Sequence, residues 1–381
     1  MKKDNGAFFL SMIQKKIREE RECLPKNELF FNRIEKTVRG LSANIWFMTE
    51  GCQWDKSGGC TMCNYGKGHC ISDDQMMKAV LNGVNNLPEG IKELFISPSG
   101  SMLDVKEVSH DVRTYIFNLV SKLDVAFFAF ETRLETICKD DIKELRNIIQ
   151  NKKIGIEIGL ESSNQWIRKY CINKGDGFDK FKEIANLLRE NDIEFIANIS
   201  LGVPFLSQKD AIEDTLTSAT WAIENGADTV VIFPLHIKPG TLLAWLYQSG
   251  CYEPPSLWSL IEVLSQLPPN VRKKTDISWY RNCYQDEKKV LKSPTTCPIC
   301  ESKILELLDE YRISRSDFII NQLVEVDCDC KAKWKHNLKQ KKIVVSDIKN
   351  IYSKMAHSFG FQNWWEENYA EVLLDMEQDY V

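Results

Sequence analysis

Residues 42–65 read SANIWFMTEGCQWDKSGGCTMCNY. The first part, 42–49, is a short run of apolar and aromatic residues with the character of a β-strand. It runs directly into a loop bearing Gly51, Gly58 and Gly59 and three cysteines, Cys52, Cys60 and Cys63, with seven and then two residues between them. A strand that ends in a ligand-rich loop is typical of folds that place their chemistry at the C-terminal ends of parallel strands. Such a fold needs several more strands of the same kind.

The chain supplies them by repeating the pattern. Further strand candidates lie at 91–97, 124–131, 153–159, 193–201 and 228–234, and helix-like segments at 74–86, 104–121, 139–150, 177–190 and 208–225. Several of the strands are almost continuously apolar, as parallel strands covered on both faces are. Alternation of β and α elements implies a parallel sheet with right-handed crossovers. Six units predict an α/β fold, a partial (βα)6 TIM-like barrel spanning 41–265. Residues 1–40 read as a helical, polar lead-in. Residues 266–381 read as a small C-terminal metal-binding module with a basic and aromatic tail.

The composition agrees with a globular chain. It has 381 residues, 43% hydrophobic and 27% charged, and a net charge of −5. That excludes a disordered or collagen-like chain, and one that is basic throughout. No run of about 18 apolar residues occurs, so no membrane span is expected, and the start lacks the pattern of a secretory signal. A cytoplasmic protein is expected. Thirteen cysteines are then reduced thiols, and clusters of them favour metal binding over disulfides.

Three thiolates on one loop can hold an iron–sulfur cluster. Held by three, a four-iron cluster keeps one iron open for another molecule. The residues alone also allow a zinc knuckle completed by His69 or Cys70, or unrelated buried thiols. Other strand ends carry polar groups. Ser97-Pro98-Ser99-Gly100-Ser101 comes after the second strand. Glu131-Thr132-Arg133 comes after the third, where Glu131 and Arg133 suit a zwitterionic ligand or an ordinary ion pair. Glu161 ends the fourth, with Arg168 about two turns on, either a ligand group or a solvated helix charge. Asn198 lies in the fifth.

With its cysteine loop after the first strand, the chain resembles the radical S-adenosylmethionine (SAM) superfamily, although the usual first spacing there is three residues. Lys238-Pro239-Gly240-Thr241-Leu242 and Gly250-Cys251-Tyr252-Glu253-Pro254-Pro255, taken with Cys60-Thr61-Met62-Cys63-Asn64-Tyr65, resemble the archaeosine-forming group of that superfamily, related to the Elongator catalytic subunit. The resemblance covers roughly 35–265. It implies a [4Fe-4S] cluster on Cys52, Cys60 and Cys63. It implies SAM held by Ser99, Gly100, Ser101, Glu131, Arg133, Glu161, Arg168 and Asn198. It also implies tRNA carrying a lysine–deazaguanine adduct as substrate, a lysine-transferring partner enzyme, and flavodoxin or ferredoxin as electron donor. A radical SAM enzyme for a small metabolite or peptide is the alternative substrate reading. A non-catalytic, zinc-containing nucleic-acid-binding protein is the alternative class.

Cys297-Pro298-Ile299-Cys300 and Cys328-Asp329-Cys330 form two close pairs suited to a four-thiolate site. Zinc is the first expectation and an auxiliary iron–sulfur cluster the second, with Cys283 as a spare ligand. Lysines 331–342, interrupted by Trp334, read either as a phosphate-following stretch or as a solvated helix face. Cys23, Cys138, Cys171 and Cys251 are expected to be incidental.

Overall fold

The computed structural model describes residues 5–21, 30–68, 70–174, 177–281, 290–338 and 345–379. His69, Cys23, Cys283 and the lysines at 339, 341 and 342 lie outside them. The elements run α1 (Asn5–Glu20), β1 (Phe30–Thr37), β2 (Gly40–Phe47), α2 (Gln53–Ser57), α3 (Asp73–Asn85), β3 (Glu93–Pro98), α4 (His110–Ser121), β4 (Phe127–Thr132), α5 (Lys139–Ile148) and β5 (Lys153–Glu161). They continue with α6 (Gln165–Ile167), α7 (Phe181–Glu190), β6 (Ile193–Leu201), α8 (Gln208–Glu224), β7 (Thr229–Pro234), α9 (Leu242–Gln248), α10 (Leu257–Gln266), α11 (Pro269–Arg272) and β8 (Thr275–Ile277). The chain ends in the helices α12 (Glu301–Ser314), α13 (Asp317–Glu325), α14 (Asp329–Asn337), α15 (Val345–Ser358) and α16 (Gln362–Asp379).

All eight strands form one sheet in chain order. β2 to β8 are parallel, and β1 is antiparallel to β2. The six expected strands are β2 to β7. Two strands were not expected. β1 alternates apolar and charged residues because its inner face carries Arg33 and Glu35. β8 is only three residues long.

Local sequence sets the helix starts. Ser72 caps α3 in a reciprocal capping box with Gln75, and Ser109 and Ser207 cap α4 and α8. The outer face of the sheet packs on these helices through residues such as Ile45, Phe128, Phe130, Ile156 and Ile199. The same apolar core takes in Leu307, Tyr311 and Leu323 from α12 and α13. On the inner face, a small apolar layer of Phe95, Phe127, Ala129, Ile196 and Val231 is ringed by charged side chains.

The sheet curls without closing. β1 and β8 are its edges, and α12 spans the gap. Arg312 makes a bidentate bond to Glu35 of β1, at 2.6 and 3.2 Å, and lies 3.5 Å from Asp276 of β8. Arg315 reaches Asp276 at 3.5 Å. Burial opposes the charge on Glu35, but Arg312 and Arg33 hold its carboxyl below the usual value. Arg312→Ala would remove the one cation shared by Glu35 and Asp276, leaving Glu35 to Arg33 and Asp276 to Arg315. It should cost about 3 kcal/mol in urea unfolding, and Arg312→Lys should recover only part of this.

Candidate active site

The cysteine loop is built on buried polar contacts. Glu107, 4% exposed, lies beneath it. Its Oε1 accepts from the Gln53 N–H at 2.7 Å and its Oε2 from the Ser101 N–H at 2.6 Å. One carboxylate therefore ties the cysteine loop to the Ser99–Ser101 turn. Gly100 is required there, because a Cβ would fall 1.9 Å from Glu107 Oε2. Arg133 completes the clamp. It pairs with Glu107, Asp104 and Glu135, and its Nη1 donates to Cys52 Sγ at 3.3 Å.

The longer first cysteine spacing is occupied by α2. Buried Asp55 on this turn pairs with Arg21 at 3.0 Å, and Gln14 of α1 donates to the Cys60 carbonyl at 2.6 Å.

Among the described residues, the only group of three or more cysteines whose sulfurs all lie within 4.8 Å of one another is the C-terminal quartet, so Cys52, Cys60 and Cys63 are not all drawn that close. Each also faces its own cation. Burial raises all three thiols, with that of Cys63 pushed up to about 11, while Arg133 opposes this at Cys52, Lys174 at Cys60 and Lys238 at Cys63. Three cations around three thiols suit an anionic group.

Cys63, Met62 and Tyr65 form part of the wall of a cavity of about 230 Å³ inside the barrel. Glu131, Glu161 and Asn198 line it, together with Glu157, Ser200, His236 and Lys238, which sequence reasoning did not single out. Glu157 had a usable signal, a charge inside the otherwise apolar strand KIGIEIGLE. Glu161 sits at a register shift with a left-handed φ of 67°, a conformation uncommon for this residue type. It accepts from Ser200 Oγ at 2.6 Å and pairs with Lys174 at 3.2 Å. Lys174 stays charged despite burial because Glu161 and Cys60 face it.

The remaining expected residues lie elsewhere. Ser99 Oγ accepts from the Thr49 N–H at 3.1 Å. The Ser101 hydroxyl is engaged with Thr132 and Thr136 and accepts from the Arg133 N–H. Ser101 and Arg133 thus support the loop from below. Arg168 is buried behind the cavity, donating to the Leu160 carbonyl and lying over Phe178.

The C-terminal quartet has Sγ–Sγ separations of 3.7 Å for Cys297–Cys300, 3.4 Å for Cys297–Cys328 and 3.5 Å for Cys300–Cys330. Tetrahedral ligation with metal–sulfur bonds of about 2.3 Å demands separations of about 3.8 Å. The quartet can hold one such ion. Trp258 Nε1 donates to Cys330 Sγ at 3.2 Å. Trp334 is buried, with its Nε1 donating to Ser259, so it is not free to stack on a base. No helix among the described residues is long and apolar enough to cross a membrane.

These geometries set two expected outcomes. Cys300→Ser should release the bound metal of the quartet, read by elemental analysis, and lower the melting temperature. The second concerns pH. Burial, with repulsion from Glu161, pushes Glu131 up to about 7, and burial, with repulsion from Glu131, pushes Glu157 up to about 8, from an ordinary 4.5. Between these limits the folded chain binds more protons than the unfolded one. Stability should therefore fall as pH rises from about 5 to about 8. Glu157→Gln should flatten that fall in urea midpoints taken across the range.

No protein-family model matches the chain. The archaeosine synthase subunit beta of Methanosarcina acetivorans is 30% identical over 309 residues, covering 78% of this chain and 85% of that protein. The protein of the same name from Thermococcus kodakarensis is 31% identical over 241 residues, covering 60% and 74%. Among solved structures, methylornithine synthase matches with a TM-score of 0.45 at 14% identity, covering 88% of this chain and 93% of that one, too loose a likeness to bear on function. By the first of these relationships, the chain belongs to the archaeosine synthase subunit beta family of radical SAM enzymes.

Proposed function

We propose that the chain acts in tRNA base modification of the archaeosine type, on a lysine attached to a cyano-deazaguanine base. The observation that carries this reading is the cysteine loop opening, through Cys63, onto a carboxylate-lined cavity inside the barrel. The length of chain shared with the curated relatives supports it.

Cys52, Cys60 and Cys63 would hold a [4Fe-4S] cluster whose open iron takes SAM. Such a cluster would supply the electron for reductive cleavage of SAM, the chemistry that initiates hydrogen-atom abstraction from the lysine side chain and breakage of its C–N bond to leave a formamidine on the base. The chain's own residues bind and orient. The backbone of Ser99 to Ser101, fixed by Glu107, would flank SAM beside the loop. Lys174, rather than Arg168, is the buried cation beside Cys60 and suits the SAM carboxylate. Glu161, held by Ser200 and Lys174, suits the ribose hydroxyls. The cavity walls keep water from a reactive carbon. The quartet would hold zinc and fix the start of α12. A lysine-transferring partner would supply the adduct, and a flavodoxin or ferredoxin the electron.

The test is anaerobic reconstitution with iron and sulfide, then dithionite, SAM and lysine-modified tRNA. The chain should form 5′-deoxyadenosine and convert the adduct. Cys60→Ala should abolish both, at least a hundredfold below the parent (a loss of about 2.7 kcal/mol of transition-state stabilisation or more). Formation of 5′-deoxyadenosine without conversion of the tRNA would sink the substrate and keep the class.

A further inference from the structure

The cavity carries more carboxyl groups than its own cations pair with. Glu35 and Asp276 are matched by Arg312, and Glu161 by Lys174. Glu131 and Glu157 are not matched in this way. Among the described residues neither has an ion-pair partner within 4.0 Å. Lys238 and Lys174 act on Glu131 only from a distance. The groups that bear on Glu157 after burial are Glu131, Asn198, Glu93 and Asp276, with no cation among them.

Asn198 sits between the two carboxylates. Its Nδ2 donates to Glu157 Oε2 at 3.2 Å and lies 3.4 Å from Glu131 Oε1. One oxygen of each carboxylate is left over. Asn198 itself is 6% exposed, lines the cavity, and its Oδ1 is buried with no hydrogen-bond partner. Two carboxyl groups with no cation within 4.0 Å and a buried amide oxygen with no donor thus belong to one cluster on the cavity wall. With no cation beside them, burial makes these carboxyl groups hold a proton rather than stand ionised, and a cation seated between them would displace it. Such an arrangement is retained where a ligand completes it.

The geometry points to Glu131, Asn198 and Glu157 as the seat of a cationic N–H donor of the substrate, the amidinium that joins lysine to the deazaguanine. This rests on the tRNA reading above. An amine added to a nitrile gives an amidine, which is protonated at neutral pH and presents N–H donors in a plane. Two carboxylates and an amide oxygen are the matching acceptors. The seat also explains selection. A base still carrying the neutral nitrile brings no cation to ionise the pair, so the unmodified precursor is held less tightly.

The test compares two deazaguanine nucleosides differing in one group, the cationic amidine and the neutral nitrile. Each is titrated into the reconstituted full chain with SAM present. The parent should prefer the amidine by about tenfold or more. Glu157→Gln and Glu131→Gln should each bring that preference towards unity while keeping the affinity for the nitrile, which reports an intact site. If a Gln variant loses the nitrile as well, Glu157→Asp, which keeps the charge, must retain the preference, and its loss there overturns the inference. Equal affinities in the parent, or a preference that survives both Gln variants, also overturn it. So does failure of either nucleoside to bind a parent that converts lysine-modified tRNA. Failure of that conversion itself removes the tRNA reading instead.

Discussion

A parallel sheet that curls but does not close has two edges to hold, and in this chain the guanidinium of Arg312 holds them. It reaches from α12 to Glu35 on the first edge strand and Asp276 on the last. Each partner would be costly to bury alone. Together they form the wall of a cavity that would otherwise be a gap between β1 and β8. Arg312, Glu35 and Asp276 all line the cavity, so the contact between them is part of its wall. The residues after 265 thus finish the barrel as well as pack against it, since Leu307 and Tyr311 share its apolar core.

Inside this enclosure the chemistry divides by depth. At the mouth, thiols alternate with cations, one to each: Arg133, Lys174 and Lys238. Deeper, Glu131 and Glu157 meet around an amide. The left-handed backbone at Glu161 lies where the two levels meet, and its side chain is tied to Lys174 above and Ser200 alongside.

The sequence made the six inner strands and the cysteine loop legible for one physical reason. Strands covered on both faces are apolar throughout, and closely spaced cysteines on a glycine-bearing loop stand out from the sequence around them. β1 was hidden by the same rule, since its inner face is charged and it reads as polar lead-in. β8 is too short to carry a pattern. Among the site residues, Glu131, Glu161 and Asn198 were found because they sit at or near strand ends, where ligands are expected. Glu157 sits mid-strand and was passed over, although an acid between isoleucines is itself a signal. Glu107 and Lys174 lie well beyond the strands that precede them, and only the folded chain brings them under the cysteine loop and beside Cys60. Arg168 has the right residue type, but its guanidinium is directed to the Leu160 carbonyl.

The seven residues between Cys52 and Cys60 have a consequence for the order in which the site is made. Through Asp55 they are joined to Arg21, and through the Cys60 carbonyl to Gln14 of α1. α1 is in turn covered by the last helices, with Phe9 stacked on Trp364 at 5.4 Å and tilted against Tyr352. Contacts across more than 350 positions of the chain therefore support a loop near its beginning. Such contacts form late, because the intervening chain must be ordered first. During synthesis the three cysteines emerge among the earliest elements, yet their loop acquires its full support only after residues 345–379 have been made. The cysteine loop is thus among the first parts made, while the contacts behind it reach the last of the described helices.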